Sequence, residues 1–444
     1  MKLEPSTPTQ FSPVRPSACP GLLRIVAARD GGICRIKLAC GQITAAQALA
    51  IAAAAENCGS GVIEITNRAN LQIRGVRAEC SNELIEALLA AQLGPQHPGA
   101  DDVRNLMVSP SAGIDTKARI DVAPLAYALL DLLQSQARFQ ELSPKFALLL
   151  DGGERLAMLE HPHDVWLSAT ADGEHFVFGF TGCPARDNPV ARVSRDNVLA
   201  LVDAVLNKFL DLATPQQTRM RHLLQSVSAH EFLTQVQTHL PFALSVDVDA
   251  WQREPSIAFA HIGIYPQRQH EMRYVGAASV LGRINSTQLR ELAALAEKYG
   301  DGTLRFTPWQ SVLLPNIFDA NAEIVLRELN QLGLSTHIDD PLAHVIACTG
   351  CSGCVKGLAD TKSDALQLAK LLAEKSLLAD VHLTGCARSC AAAHIAPFTL
   401  LAVAQGRYDL FQRDLSTHGF GKLIARNCDI ETSVALLTNS ADTR

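Results

Sequence analysis

Gly41-Gln-Ile43-Thr44-Ala-Ala-Gln47 is written again, 241 residues later, as Gly282-Arg-Ile284-Asn-Ser-Thr-Gln288. The agreement continues without a gap. Glu56, Gly59, Gly61 and Thr66 recur as Glu297, Gly300, Gly302 and Thr307, and Cys58-Gly-Ser-Gly61 becomes Tyr299-Gly-Asp-Gly302. A period this long marks a duplicated domain and not a solenoid, whose repeats run to about 50 residues. The first copy is the easier to read. Leu22 to Leu38 predicts a hairpin around Asp30-Gly31-Gly32. Thr44 is placed to cap a helix that runs to about Cys58 and stops at Gly59. Val62-Ile-Glu-Ile65 predicts a short strand, leading into Thr66-Asn67-Arg68-Ala-Asn70-Leu71-Gln72-Ile73-Arg74-Gly75. Each copy thus reads strand–strand–helix–strand–strand, an α+β unit.

Each copy is followed by a second segment. At nearly the same offset, Arg104-Asn-Leu-Met-Val-Ser-Pro110 falls against His344-Val-Ile-Ala-Cys348-Thr-Gly350. Only the later segment carries a cysteine motif, Cys348-Thr-Gly-Cys351-Ser-Gly-Cys354, then 31 residues, then Cys386-Ala-Arg-Ser-Cys390. Five of the twelve cysteines fall in this stretch. Leu366, Ala369, Leu372, Ala373 and Leu377 give the spacer, Ser363 to Asp380, helical spacing that returns the chain so the two cysteine groups meet. Gly350, Gly353 and Gly385 let backbone approach a bulky inorganic group. Thiolates in this pattern fit a [4Fe–4S] cluster, a structural zinc or a disulfide framework. The residues themselves leave open which four of the five would ligate.

Composition narrows the classes. The 444 residues suffice for several domains with real cores. A net charge of −6 offers no positive field for nucleic acid. The most apolar run, Ile43 to Ala55, falls short of the roughly 18–20 residues needed to span a bilayer. Lys2, Glu4, Pro5 and Pro8 open the chain without the apolar region of a signal peptide, so a cytoplasmic setting is expected. Reduced thiols there favour metal over disulfide. The remaining cysteines read as buried apolar thiols. No glycine-rich dinucleotide fingerprint follows a predicted strand.

The motif C-x5-C followed by C-x3-C resembles the cluster motif of the sulfite and nitrite reductase superfamily, and the likeness extends over nearly the whole chain. It implies an internally duplicated sulfite/nitrite-reductase-like fold, with two ferredoxin-like half-domains plus two α/β lobes. It also implies boundaries: an extended arm 1–20, a first repeat 21–90, a lobe without cluster 91–240, a second repeat 241–330 and the [4Fe–4S] lobe 331–444. The implied cluster ligands are Cys348, Cys354, Cys386 and Cys390, with Cys351 an extra thiol. Within the superfamily the text is most similar to the precorrin-3B synthases, oxygen-using enzymes of aerobic cobalamin biosynthesis. That implies precorrin-3A and O2 as substrates, an external electron donor, and a mononuclear non-haem iron beside the cluster. The alternatives are a sirohaem-dependent sulfite or nitrite reductase, and a non-catalytic iron–sulfur electron carrier or tetrapyrrole-binding protein.

Arg35, Lys37, Arg68, Arg74, Arg104 and Lys145 lie on loops and strands expected to face the duplicated interface, a basic group in an acidic chain. Guanidinium forks match carboxylates, which suits a tetrapyrrole bearing acetate and propionate chains. By resemblance, Arg35, Arg68, Asn70, Gln72 and Arg74 contact the tetrapyrrole, while Lys37, Arg104 and Lys145 take the catalytic positions. Ala147 stands where the reductases have a second lysine. Losing that cation weakens stabilisation of a small oxyanion and leaves room for a larger substrate. His161-Pro-His163-Asp164 offers a weak mononuclear iron site, with a loop role the stronger reading. His344, His382, His394 and His418 read as structural. Trp309, at the place of Arg68 in the second copy, reads as core.

Overall fold

The computed structural model describes residues 19–248, 250–414, 416–417 and 419–441. Most of the expected arm, residues 1–18, and His418 lie outside them. Among the described residues there are four five-stranded sheets, and they come as two pairs.

The first pair is the duplicated half-domain. Copy one contributes strands Val26–Ala28, Gly31–Ile36, Val62–Ile65 and Leu71–Val76, with helix Ala45–Cys58 behind them. Copy two contributes Gly263–Pro266, Met272–Ala278, Thr303–Phe306 and Ser311–Phe318, with helix Ser286–Tyr299. The recurring residues do the same jobs twice. Thr44 accepts from Gln47 N while the Gln47 side chain accepts from Thr44 N, and Asn285 and Gln288 repeat this capping box. The same glutamines then reach the end of the following helix, Gln47 Nε2 donating to Ala91 O at 3.2 Å and Gln288 Nε2 to Leu332 O at 2.8 Å. Thr66 Oγ1 accepts from the amides of residues 68 and 70, and Thr307 Oγ1 from those of 309 and 311. The left-handed backbone of Gly41, φ +70°, is needed because a Cβ there would lie 2.7 Å from Phe306 O.

Two features of the halves go beyond the expected pattern. Each copy ends in a further helix, Ser81–Ala90 in one and Asp319–Gln331 in the other. Each also lends a three-residue strand to its twin: Arg283–Asn285 pairs with Val62–Glu64, and Gln42–Thr44 with Thr303–Arg305. One core results, in which Ile43, Ile63 and Leu71 pack with Ile284, Leu304 and Val312.

The second pair is the lobes. One sheet runs Leu106–Val108, Leu148–Asp151, Val165–Ala169, His175–Phe180, Ala191–Ser194; the other runs Val345–Ala347, Val381–Thr384, Phe398–Ala404, Arg407–Gln412, Lys422–Cys428. In each, the first three strands are parallel and the last two antiparallel. A helix fills the first crossover in both, Ala123–Ser135 and Thr361–Glu374. The latter is the spacer helix, shorter than its apolar spacing suggested. It ends at Lys375 and Ser376, the second in left-handed conformation (φ +51°), and Leu377 lies beyond the turn.

Candidate functional site: a cysteine loop seated on a basic seam

The 348–354 loop sits on the first half-domain through specific bonds. Arg29 N and Arg74 Nη2 both donate to Gly353 O, at 3.3 and 3.1 Å, and Arg29 Nη1 donates to Cys351 O at 2.7 Å. Lys362 Nζ, buried beneath, donates to Leu281 O and Ala347 O. From the opposite side Asn67 Nδ2 donates to Cys390 O at 3.3 Å.

Three of the implied ligands, Cys386, Cys348 and Cys354, lie near enough to the fourth, Cys390, for their charges to act on its thiol. The Cys390 thiol is pushed up by burial and then by the negative charge of Cys386, Cys348 and Cys354. Cys351 stands outside this group, its Sγ 3.4 Å from Gln405 Oε1. Gly385 N donates to Cys348 Sγ at 3.1 Å, the kind of bond that favours a ligating thiolate. The surrounding backbone has no room for side chains: a Cβ on Gly385 would lie 3.1 Å from Gly357 Cα, and one on Gly357 would lie 2.6 Å from Gly350 C. Four neighbouring thiols with an N–H···S donor in a glycine cradle fit a cubane cluster.

A polar ladder joins this loop to the seam. On neighbouring strands Arg35 lies opposite Gln72, Gln72 opposite Glu64, and Glu64 opposite Arg283 of the second copy. Arg35 Nε and Nη2 donate to Gln72 Oε1 at 3.1 and 2.8 Å, and Arg283 Nε donates to Glu64 Oε1 at 3.0 Å. Thr349, next to Cys348, donates to the same Glu64 oxygen at 3.0 Å. Burial would push Glu64 up, but Lys362, Arg74 and Arg283 more than offset it and hold the carboxyl below its usual range.

Beyond the ladder lies Arg68. Its guanidinium has no hydrogen bond or ion pair among the described residues. Burial, then the Arg219 charge, push it down to about 10, with Arg35 contributing and Asp164 opposing. Arg219 donates to both Asp164 oxygens at 2.9 Å, and Asp164 also accepts from Met220 N and Ala147 N. Arg35, Arg68 and Arg219 therefore gather at one place, where Asp164 answers only Arg219 at bonding distance. Arg219 was not read from the sequence; a basic run around Arg219, Arg221 and His222 in an acidic chain was the available signal.

Other expected positions fall elsewhere. Arg74 is excluded from this cluster: it is buried, bidentate to Asp30 at 2.7 and 3.0 Å, and aimed at the cysteine loop. Asn70 Oδ1 accepts from Leu38 N, and Gln72 orients Arg35, so both act on protein groups. Lys37 is buried, donates to Asp102 O at 2.8 Å and is pushed down to about 7 by burial, against the pull of Asp101 and Asp102. Arg104 holds the carbonyls of Leu93 and Gly94 and the Asp101 carboxylate. Lys145 is exposed, with no side-chain bond among the described residues.

Behind Arg68, four histidines line the seam between the lobes. His161 Nε2 and His394 Nδ1 are 3.0 Å apart with rings stacked. His163 Nδ1 donates to His161 O at 2.8 Å. His161 Nδ1, His163 Nε2 and His382 Nε2 are buried without partners. Burial holds His163 and His382 down at about 3 and His161 well below its usual value, so the rings are neutral. Asp164 is already committed to Arg219, and among the described residues no three donors converge here. The seam therefore does not present the ligand set of the mononuclear iron implied by resemblance. His344 is tied to Asp380 and Ile338 O, and Trp309 stacks on His261 at 5.1 Å; both are structural.

Comparison with known proteins agrees with this architecture. The Nitrite/Sulfite reductase ferredoxin-like half domain matches residues 26–91 and 265–332, the two copies of the repeat. The Nitrite and sulphite reductase 4Fe-4S domain matches residues 99–244, the lobe without the cysteine motif. Together they cover more than half of the chain, which belongs to the nitrite and sulfite reductase family. It is 30% identical over 393 residues to the chloroplastic ferredoxin–nitrite reductase of Zea mays, covering 82% of this chain and 68% of that one. It spans 64% of the Oryza sativa enzyme. It is 26% identical over 398 residues to a precorrin-3B synthase of Sinorhizobium sp., covering 88% of this chain and 82% of that one. The structure of the Mycobacterium tuberculosis NirA protein superposes with a TM-score of 0.76 at 19% identity, over 93% of this chain and 80% of that one. No helix among the described residues is long and apolar enough to cross a membrane.

Proposed function

We propose that the chain binds a polycarboxylate tetrapyrrole along the seam, next to a [4Fe–4S] cluster held by Cys348, Cys354, Cys386 and Cys390, and acts as a precorrin-3B synthase. In this reading it takes precorrin-3A, O2 and electrons from an external donor. Of the two oxygen atoms, one is added to the macrocycle and ends as a hydroxyl, while a ring acetate carboxyl bonds an adjacent carbon as the lactone and gives up its proton to that hydroxyl; the other leaves as water with two electrons and two protons. The cluster, when bound, supplies electrons singly.

The chain's own residues do the rest. Arg68, helped by Arg35 and Arg219, takes carboxylates at the rim of the macrocycle. Gln72 fixes the fork of Arg35. The neutral imidazoles of His161, His163 and His382 add buried, polar but uncharged groups behind the arginines. Lys37, poised near neutrality, can exchange a proton at Nζ.

The observation that carries this reading is the distribution of charge. The guanidinium groups of Arg35, Arg68 and Arg219 act on one another, while the buried imidazoles beside them are held uncharged and the buried residue 147 is Ala in place of a lysine. Multi-proton reduction of a small oxyanion calls for dense positive charge over it. The chain also spans a larger share of the synthase than of the plant reductases. Higher identity to the ferredoxin–nitrite reductases favours the second reading, a sirohaem-dependent reductase. The two are separated by incubating anaerobically purified protein with precorrin-3A, reductant and 18O2. The synthase reading expects a lactone product carrying the label. Retained sirohaem together with nitrite or sulfite reduction, and no labelled product, refutes it.

A further inference from the structure

The corner where helix Ala45–Cys58 ends and helix Ser81–Ala90 begins carries a second set of metal-ligating side chains, away from the cysteine loop. The Cys58 thiol, the Cys80 thiol and a Glu83 carboxylate oxygen all lie within 4.8 Å of one another. Cys58 is 1% exposed, Cys80 is half-buried and Glu83 faces solvent. Arg77 stands behind them. Its Nη2 donates to Cys80 Sγ at 3.3 Å and its backbone N donates to Cys58 O at 2.9 Å.

From this geometry we propose that Cys58, Cys80 and Glu83 bind one zinc ion, with the fourth position open to water. Tetrahedral bonds of about 2.0–2.3 Å to oxygen and sulfur place donor atoms roughly 3.5–4 Å apart. The three donors are already gathered to within small side-chain rotations of that spacing. Binding releases the two thiol protons, leaving two thiolates and one carboxylate. Their three negative charges are balanced by the divalent ion and the Arg77 guanidinium, which then donates to a ligating sulfur. The end of one helix also favours a cation through its exposed carbonyls.

The duplication supplies an internal control. At the same offset the second copy has Tyr299, Asn321 and Ile324, none of them a thiol or carboxylate, and its two helices meet at the same corner. The fold therefore does not need this donor set in order to close. The set is a property of copy one, and it braces the helix ends beside the strand that carries Arg74 to the cysteine loop.

The test uses the full-length, cluster-loaded protein, exposed to zinc chloride and freed of loose metal by gel filtration. One zinc per chain is expected in the parent and in Cys183→Ser. Cys58→Ser and Cys80→Ser are expected to lose it with iron and sulfide content unchanged. Glu83→Gln, at an exposed position that leaves folding alone, is expected to weaken zinc binding at least tenfold in a chelator competition. Zinc X-ray absorption should show two sulfur neighbours. Equal zinc in parent and cysteine variants, or unchanged affinity in Glu83→Gln, overturns the proposal.

Discussion

Replacing Arg68 by Met should move stability and binding in opposite directions. The guanidinium is half-buried, close to Arg219 and Arg35, and among the described residues no carboxylate pairs with it. Its fall from the ordinary guanidinium range to about 10 is the cost of keeping it charged there. At about 1.4 kcal/mol per unit, that is an upper bound of roughly 3 kcal/mol. The sign follows from linkage: a base whose folded value is depressed carries its charge in both states below that value, so the penalty is constant at neutral pH. Methionine keeps most of the stem and removes the charge. Substrate-free Arg68→Met is therefore expected to be more stable than the parent, by about 1–3 kcal/mol in denaturant melts. A carboxylate ligand relieves the same penalty in the parent, and a charge-assisted hydrogen bond is worth about 1.5–3 kcal/mol. Affinity for precorrin-3A, or for a stable porphyrin bearing several carboxylates, should then fall roughly 10- to 150-fold. Fluorescence titration at low and moderate salt reads this, and the salt dependence should shrink in the variant. A variant that is less stable than the parent and binds as tightly would show that Arg68 serves the fold alone.

Two other expectations test the site separately. Cys386→Ser should remove the visible absorbance, iron and sulfide of the cluster, whereas Cys351→Ser, whose sulfur faces Gln405, should retain all three; the reverse pattern would reassign the ligands. Lys37, at about 7 when folded and 10.5 when unfolded, leaves the unfolded chain holding the extra proton between those values. Parent stability should rise with pH across that window, and Lys37→Met should lower the slope by the equivalent of one proton. Thermal midpoints of both proteins from pH 6.5 to 9 measure it, and identical slopes would contradict a depressed Lys37.

The duplication was legible because it is written in residues with local duties. Gln47 and Gln288 cap one helix and hold the end of the next. Thr66 and Thr307 close the same turn. Such residues depend on their own few neighbours, so they stay readable in one dimension. The exchanged strands Gln42–Thr44 and Arg283–Asn285 were not legible, since three residues carry no period and their partners lie in the other copy. For the same reason the partners of Arg74 were not legible. Its charge and its spacing from Gln72 suggested a shared ligand, but Asp30 and Gly353 claim it from segments distant in sequence. Arg219 belongs to the seam only because Asp164, itself held by the Ala147 amide, folds against it.

One carboxylate explains how the halves of the site stay in register. Glu64 accepts from Thr349 beside Cys348, from Arg283 of the second copy, and through Gln72 stands behind Arg35. The loop that carries the cysteines and the Arg35 guanidinium are thus positioned from a single buried point. A buried carboxylate is tolerable only while its cations remain; here Arg74 is also bonded to Asp30 and Lys362 to Ala347 O, and Arg283 lies opposite Glu64 on the paired strand. Movement of the cysteine loop would strip a partner from Glu64 and loosen the hold on Arg35. The cysteine loop and Arg35 are therefore tied to the same carboxylate on one sheet.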